Sequence, residues 1–171
     1  TSDLFFDNVR VPATSILGKF DAGFVVLMGE LLRERLSVSV SAVAAAEGIF
    51  AQTIEHVKTR EAFGAPIAQL QNTRFKMAEM ATDIRVNRAF VDECTSKFIN
   101  GELDAATVSM AKLSSTEMQG RIADGCLQLY GGYGYLTEYG VSRAFVDARV
   151  QRIYGGTSEI MKELISRAVL R

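Results

Sequence analysis

The chain has 171 residues, of which 48% are hydrophobic and 23% are charged, and its formal net charge is −1. This length and composition are typical of one globular domain that buries a sizeable core. The small net charge leaves no electrostatic footprint for nucleic acid, which excludes DNA and RNA as main partners. The longest apolar-leaning run without charge, residues 36–46, is shorter than the roughly 20 residues of a membrane span, so no span is expected.

The few cysteines and histidines limit the chemistry that side chains can supply. Cys94 and Cys126 lack the spacing of a zinc site or a disulfide framework and are interpreted as buried thiols in a reducing compartment. His56 is the single histidine, predicted to lie partly exposed near a helix end, so histidine triads and multi-histidine metal sites are excluded. Acid–base chemistry must therefore rest on carboxylates, and no metal site is predicted.

The N-terminal part is predicted to contain one strand followed by helix. Residues 4–12 alternate apolar and polar side chains before Pro12, which predicts a strand without a partner in this sequence. A helical period then predicts helices over residues 22–32 and 34–59, with a bend near Arg33. The second of these carries a long apolar stripe and is predicted to be buried.

The remaining elements are predicted to be helical. A third helix is expected over residues 67–99, with Pro66 just before it, and a fourth over residues 103–129, ending at a glycine-rich loop. Two shorter helices are expected over residues 138–148 and 158–169. Long helical segments joined by short breaks predict an all-α fold, an antiparallel four-helix-type bundle.

The most informative motif lies in the last third of the chain. Its fixed positions are Gln128, Gly131, Gly132, Gly134, Tyr135, Glu138, Arg143 and Asp147. Two further segments accompany it: residues 60–64, with Pro66 and Gln71 downstream, and residues 154–159. With these motifs the whole chain resembles the C-terminal helical domain of the acyl-CoA dehydrogenase family, nearest to its long-chain and isovaleryl-type branches.

The resemblance also implies a domain organisation. Family members are roughly twice this long, with an N-terminal helical domain and a middle β domain before the C-terminal bundle. Residues 1–18 are therefore expected to be the remnant of the β domain with its linker, and residues 19–171 the bundle domain. The chain is expected to be a C-terminal fragment of a protein from the bacterial cytoplasm or the mitochondrial matrix.

The cofactor that the resemblance implies is FAD, held from two subunits. The residues that would contact the FAD of an adjoining subunit are Arg60, Phe63, Gln71, Gln128, Gly131 and Gly132. Thr157 and Glu159 would contact the FAD of the same subunit, although many members carry glutamine at the second position. Contacts across an interface require a homo-oligomer, expected to be a dimer of dimers, that is, a homotetramer.

From the residues alone, the same positions also suit purely structural roles. Arg60 follows a helix C-terminus, where the helix dipole favours a cation. Gln128 to Gly132 could form a helix C-cap with a tight turn, and Thr157 could be a simple N-cap. A Rossmann loop is excluded, because no strand precedes the glycines and Thr137 stands where a third glycine is needed.

The chemistry of the family requires a carboxylate. It removes the α-proton of an acyl-CoA thioester while hydride leaves the β-carbon for flavin N5. In many members this base directly follows the tyrosine of a Y-x-G-T motif, where this chain has Gly155. Glu34 matches the alternative position used by the long-chain and isovaleryl branches and is the predicted base. From the residues alone, a solvated surface carboxylate is the commoner role for such a glutamate.

The surroundings of the base complete the expected site. Gly155 would leave room and donate its backbone N–H to the thioester carbonyl, and the resemblance assigns Arg35, Tyr154 and Gly156 to substrate binding. The face of Glu34 continues through small residues, which favour either close helix packing or room for an acyl chain: Val38, Ser41, Ala45 and Gly48.

The resemblance therefore implies α,β-desaturation of acyl-CoA in β-oxidation of fatty acids, with electrons passing to an electron-transfer flavoprotein. The fragment alone is expected to be inactive, because half a cofactor site binds weakly. Two alternatives stay open: a flavin oxygenase or oxidase of the same fold, and a non-catalytic helical module that oligomerises.

Overall fold

The structure is a computed structural model that describes residues 2–171, in two compact units that divide between Leu31 and Leu32. In the first unit, residues 2–12 are irregular and a 3-10 turn spans Ala13–Ser15. The strand predicted over residues 4–12 is therefore wrong. A strand is held by hydrogen bonds to a neighbouring strand, and this segment has none in the described part of the chain.

The first long helix, α1, spans Gly23–Thr59 without interruption. The division predicted at Arg33 is wrong, since leucine, arginine and glutamate around it are good helix formers. By length and composition α1 could cross a membrane, and 39% of its most apolar 18-residue window is buried within the fold. The core helix of a globular protein has the same two properties, and α1 supplies three side chains to the main core: Val43, Ala46 and Ile49.

A small hairpin follows α1 and was absent from the predicted elements. Strand β1, Glu61–Ala62, pairs antiparallel with β2, Ala65–Pro66. Phe63 and Gly64 form the turn with φ values of 55° and 82°. Glycine adopts this region easily, whereas a bulky residue such as Phe63 does so only when the surroundings impose it.

Helix α2 spans Gln71–Ile99, so the predicted start at residue 67 is wrong. Pro66 closes the hairpin, and Ile67–Gln69 form a 3-10 turn before the helix begins. The end at Ile99 agrees with the prediction, because Asn100 and Gly101 stop the helix there.

Helix α3 spans Ala105–Tyr130 and contacts α2 and the two later helices. The Asp104 carboxylate caps its start by accepting hydrogen bonds from the N–H groups of Ala106 and Thr107, at 2.8 and 2.9 Å. A 3-10 segment, Gly131–Tyr135, continues directly from its end.

The last two helices are α4, Gly140–Val150, and α5, Ser158–Val169. The bounds of α5 are those predicted, and α4 lies two residues later than predicted. The main core joins α1, α2, α3 and α4 through ten buried residues: Val43, Ala46, Ile49, Met80, Ile84, Val91, Met118, Ile122, Cys126 and Val141. The predicted all-α architecture is confirmed.

Both cysteines are fully buried free thiols, as predicted. Burial raises the pKa of Cys94 and of Cys126, which keeps both in the unreactive protonated form.

Candidate functional site

The predicted site residues lie in three places rather than one. One group surrounds the end of α1 and the glycine loop after α3, a second surrounds Glu34 in the first third of α1, and a third lies at the start of α5. Glu34 and Thr59 are 25 residues apart on α1, which corresponds to roughly 40 Å along the helix axis. The first two groups are therefore separate sites on one chain.

The first group lines a cavity of about 490 Å³, here called the glycine-loop cavity. Its lining consists of Arg60, Ile67, Gln128, Leu129, Tyr130, Gly131, Gly132, Tyr133 and Leu136. Four of the six residues predicted to contact the cofactor of an adjoining subunit are thus brought together. A Cβ atom added at Gly131 or Gly132 would meet no atom within 4 Å in the described chain, so the loop surface is open.

Aromatic rings lie in and beside the lining of this cavity. His56 and Tyr130 stack with ring centroids 3.9 Å apart, and the Arg60 guanidinium lies 5.5 Å from the centre of the Tyr133 ring. Burial lowers the pKa of His56, and the positive charge of Arg60 lowers it further. A hydrogen bond with the backbone of Leu129 partly offsets this shift. His56 is half-buried in the last turn of α1, so the expected position near a helix end is observed.

Phe63 and Gln71 do not line the glycine-loop cavity. Phe63 lies at the tip of the hairpin and is 97% exposed, and Gln71 is exposed at the first residue of α2. Phe63 is thus a large apolar side chain held outward from the fold in the left-handed backbone region.

The second group is here called the base site and consists of Glu34, Arg35, Tyr154, Gly155 and Gly156. A Cβ atom added at Gly155 would lie 3.8 Å from Glu34 Oε1. The carboxylate therefore reaches the position at which a side chain of residue 155 would begin. Glu34 is exposed in this chain, as the alternative role of a solvated surface carboxylate predicts. About half of the Tyr154 side chain is also exposed.

Arg35 has a role that sequence patterns did not reveal. Its side chain is 8% exposed, and its Nε donates a hydrogen bond to the Gly155 carbonyl at 3.3 Å. Burial lowers the pKa of Arg35, and the charge of Glu34 opposes that shift. The predicted contact of Arg35 with substrate stays a prediction; within the chain, Arg35 binds the loop.

Lys112 of α3 is a further member of this neighbourhood that sequence reasoning missed. It is 0% exposed, and its Nζ donates to the Gly156 carbonyl at 2.7 Å. Burial lowers the pKa of Lys112, and the nearby positive charge of Arg35 lowers it further. Sequence reasoning could have found it from its position, because this lysine lies on the apolar stripe of α3, one turn after Val108 and next to Ala111.

The third group lies at the N-terminus of α5. The Thr157 hydroxyl accepts a hydrogen bond from the Ile160 N–H at 3.3 Å, which makes Thr157 the N-cap. Hydrogen bonds from its own N–H and from Thr157 lower the pKa of Glu159. Both residues line a cavity of about 230 Å³ with Glu117, Arg149, Arg152, Ile153, Ser158 and Lys162. The capping role is thus present, and a cofactor contact stays a prediction.

The small-residue face of α1 does not form a packing seam in the described part of this chain. Ser41, Ala45 and Gly48 are exposed, and a Cβ atom added at Gly48 would meet no atom within 4 Å. Val38 is buried beside Gly155. Of the two alternatives for this face, close packing within the chain is not observed.

Comparison with known proteins agrees with this architecture. The family model described as "Acyl-CoA dehydrogenase, C-terminal domain" matches residues 21–170. The mitochondrial long-chain specific acyl-CoA dehydrogenase of Sus scrofa is 49% identical over 170 residues, which cover 99% of this chain and 40% of that protein.

Solved structures show the same similarity. The crystal structure of acyl-CoA dehydrogenase from Geobacillus kaustophilus matches with a TM-score of 0.92 and 44% identity, covering 96% of this chain and 43% of that one. The FAD complex of PigA matches with a TM-score of 0.85 and 26% identity, again over 96% of this chain and 43% of that one. The chain spans about two-fifths of the length of these relatives. It belongs to the acyl-CoA dehydrogenase family and corresponds to the C-terminal domain of that family.

Proposed function

We propose that the protein containing this chain is an FAD-dependent acyl-CoA dehydrogenase in which Glu34 removes the α-proton of the acyl thioester. One observation carries this proposal: Glu34 Oε1 lies 3.8 Å from the Cβ position of residue 155. The resemblance places the base of many relatives at residue 155, and here a glycine stands there. The carboxylate is therefore supplied to the same place from α1.

Gly155 contributes to the chemistry through its backbone. Its φ of 65° is readily adopted only by glycine, and the missing side chain leaves room for the Glu34 carboxylate. In the proposed reaction the Gly155 N–H binds the thioester carbonyl, which stabilises the negative charge that develops as Glu34 takes the proton. Tyr154 and Gly156 flank this donor and complete the proposed substrate contacts.

The open surface of the glycine-loop cavity fits a dinucleotide. Loop glycines without a neighbour at the Cβ position allow close approach, and the fork of Arg60 suits a pyrophosphate. Gln128, Gly131 and Gly132 would hold FAD there, and Phe63 and Gln71 would contact it from outside the cavity. Thr157 and Glu159, at the start of α5, would contact the FAD of their own subunit. FAD, when bound, supplies the hydride acceptor of the reaction.

The separation of the two sites supports an oligomer. Glu34 and the Arg60 end of α1 lie roughly 40 Å apart on one helix, too far for one dinucleotide to contact both. A complete site then combines the base site of one subunit with the glycine-loop cavity of another. The outward Phe63, 97% exposed, suits insertion into such a neighbour. We propose a homotetramer, built as a dimer of dimers.

The wider role follows from the same proposal. Residues 1–18 would belong to a middle β domain that precedes the bundle domain, residues 19–171. The substrates would be acyl-CoA thioesters of fatty-acid β-oxidation, with an electron-transfer flavoprotein as electron acceptor. The protein would work in the bacterial cytoplasm or the mitochondrial matrix. A flavin oxygenase or oxidase of the same fold would leave the carboxylate beside Gly155 without a role.

The visible absorption spectrum of the intact protein tests the proposal. The protein is loaded with FAD and mixed, without oxygen, with a panel of acyl-CoA thioesters of different chain length and branching. We expect at least one thioester to bleach the flavin and to be converted to the enoyl-CoA. Flavin that no thioester reduces, or oxygen consumption without enoyl product, would instead support the oxygenase. This chain alone is expected to retain no FAD.

A further inference from the structure

Lys112 occupies a position that its chemistry does not favour. Its side chain is completely buried, and it is the largest of the fully buried side chains in the described residues. Removing an ammonium group from water is costly unless the group is hydrogen-bonded and compensated. In this fold the ammonium group is compensated by the 2.7 Å hydrogen bond to the Gly156 carbonyl and by the attraction of Glu117.

A second buried cation acts on the neighbouring peptide group. Arg35, from α1, donates to the Gly155 carbonyl at 3.3 Å, and its charge is close enough to Lys112 to oppose protonation of the lysine. Two like charges near each other in the interior disfavour each other. Helices α1 and α3 therefore bring their cations to one loop at an electrostatic cost, which indicates a role beyond packing.

The geometry of the loop explains what two such bonds achieve. Gly155 and Gly156 have φ values of 65° and 102°, and glycine backbones are free to take many other conformations. In a trans peptide the carbonyl and the following N–H share one plane. The bond to Gly155 O thus fixes the peptide plane before Gly156, and the bond to Gly156 O fixes the plane before Thr157.

The donor of the base site depends on this restraint. The Gly155 N–H makes no backbone hydrogen bond within residues 2–171, so no partner in the chain holds it directly. Its direction is set by the conformation of Gly155 and the peptides on either side. The Gly155 N–H lies in the Tyr154–Gly155 peptide plane, which has a restraint on each side. The Tyr154 N–H donates to Val150 O at 3.3 Å before it, and the bonds to Gly155 O and Gly156 O hold the planes after it. Together these restraints limit the direction of the N–H before substrate arrives, which is the preorganisation that charge stabilisation requires.

We propose that Lys112 is a positioning residue that, together with Arg35, orients the Gly155 N–H towards the thioester carbonyl of the substrate. Lys112 acts through the Gly156 carbonyl and makes no contact with the reacting atoms. This inference rests on the proposed function and adds to it a residue of α3. It predicts that loss of the ammonium group lowers polarisation of the bound thioester while substrate is still bound.

The test uses the intact, FAD-loaded protein and the Lys112→Met variant, which keeps a long side chain without the charge. The first readout is the absorption band of bound 3-phenylacryloyl-CoA, which shifts to longer wavelength as its thioester carbonyl is polarised. The second is the separation of kcat from KM with an acyl-CoA that wild type oxidises. Thr53→Val is the matched control, because Thr53 is also fully buried but its hydroxyl bonds to Ile49 O at 2.8 Å and to Cys126 rather than to a loop carbonyl.

We expect Lys112→Met to lose most of the wavelength shift and to lower kcat about 10- to 100-fold, with KM changed much less. Thr53→Val is expected to lower thermal stability and to leave the shift and kcat near their wild-type values. A Lys112→Met protein with the full shift and wild-type kcat would overturn the inference. If Lys112→Met does not fold, Lys112→Gln is measured in its place; failure of both to fold would show a structural role and also overturn it.

The two proposals fail in different ways. If wild type is bleached by acyl-CoA and the lysine variant behaves like wild type, only the role of Lys112 is wrong. If no acyl-CoA bleaches wild type and the bound 3-phenylacryloyl-CoA shows no shift, the proposed function is wrong and the role of Lys112 falls with it.

Discussion

The two glycine loops of this domain use the same residue type for opposite reasons. At Gly131 and Gly132, an added Cβ atom would meet no atom of the described chain within 4 Å. At Gly156, an added Cβ atom would lie 2.7 Å from Met161 Cε and 3.7 Å from Arg35, and at Gly155 it would lie 3.8 Å from Glu34 and Val38. One loop is open to its surroundings, and the other is enclosed by its own chain.

The difference shows how a glycine motif can be interpreted once a structure is known. Open glycines make room for something that the chain does not contain, which supports the proposed dinucleotide at the glycine-loop cavity. Enclosed glycines allow the chain to fold tightly around a backbone donor, which supports preorganisation at the base site. Substitution of Gly132 should therefore affect ligand binding, whereas substitution of Gly155 or Gly156 should affect folding. Gly131 has a φ of 59°, so its substitution would also strain the backbone.

The largest effect is expected at the enclosed loop. Gly156→Ala places a side chain at a φ of 102°, where a non-glycine residue is strained, and forces the Met161 side chain to move. We expect the free energy of unfolding to fall by about 3 kcal/mol. Urea denaturation of the domain measures it, and a loss below about 0.5 kcal/mol would contradict the enclosure of this loop.

A smaller effect is expected for Arg60 at the open loop. Arg60→Ala removes a charged hydrogen-bond donor to the pyrophosphate, so the Kd for FAD in the intact protein should rise about 30-fold, or about 2 kcal/mol. Fluorescence titration of the apoprotein with FAD measures this change. Arg85→Ala is the matched control, since Arg85 is exposed on α2 and lines none of the cavities described above. Equal affinities of the two variants would remove Arg60 from the site.

Gly132→Ala should separate binding from folding most clearly. The added methyl group projects into open space, so the free energy of unfolding should change by less than about 0.5 kcal/mol. The same methyl group would crowd a bound dinucleotide, weakening FAD binding by about 1 kcal/mol, or roughly fivefold. A destabilised fold with unchanged FAD affinity would reverse the proposed difference between the loops.

The smallest effect is expected for an ion pair away from both loops. Arg88 binds Glu47 through two hydrogen bonds, 2.9 and 2.5 Å, and mainly this bonding lowers the pKa of Glu47. The pKa of Glu47 is lower in the folded than in the unfolded state. The pair therefore contributes its full stabilisation above the ordinary carboxyl value of 4.5, and this contribution is lost as the pH falls through the lowered pKa.

Arg88→Met should therefore reduce the free energy of unfolding at neutral pH by about 0.5 kcal/mol, because the Glu47 side chain is 41% exposed and solvent screens the pair. The difference from wild type should shrink as the pH is lowered below 4.5. Urea denaturation across this pH range measures it. A difference that grew on acidification would contradict the assigned direction.

Helical periodicity predicted the bundle because its long helices bury a regular apolar stripe. The bounds of α5 were predictable because Thr157 is a cap and Gly155 and Gly156 interrupt the preceding segment. The hairpin was not, because strands of two residues carry no period. The strand over residues 4–12 was predicted from alternation alone, which cannot supply a partner strand.

The candidate site was predictable to the extent that motifs encode it. The motifs indicated Glu34 and Gly155, and the structure places them side by side. The roles of Arg35 and Lys112 were not predicted, because a cation on a helix usually extends to solvent; the place of Lys112 on the buried stripe of α3 was the only sequence signal for it. Only the packing of α1, α3 and the loop before α5 shows that both donate to loop carbonyls.

The rate of flavin reduction in the Glu34→Gln variant tests the central claim most directly. Glu55→Gln is the matched control, because Glu55 is an exposed glutamate of the same helix that pairs with Lys58. In the intact protein, without oxygen, we expect Glu34→Gln to bind FAD and acyl-CoA but to slow bleaching of the flavin by about 100- to 10,000-fold, while Glu55→Gln keeps the wild-type rate. Bleaching of Glu34→Gln at the wild-type rate would contradict the assignment of Glu34 as the base.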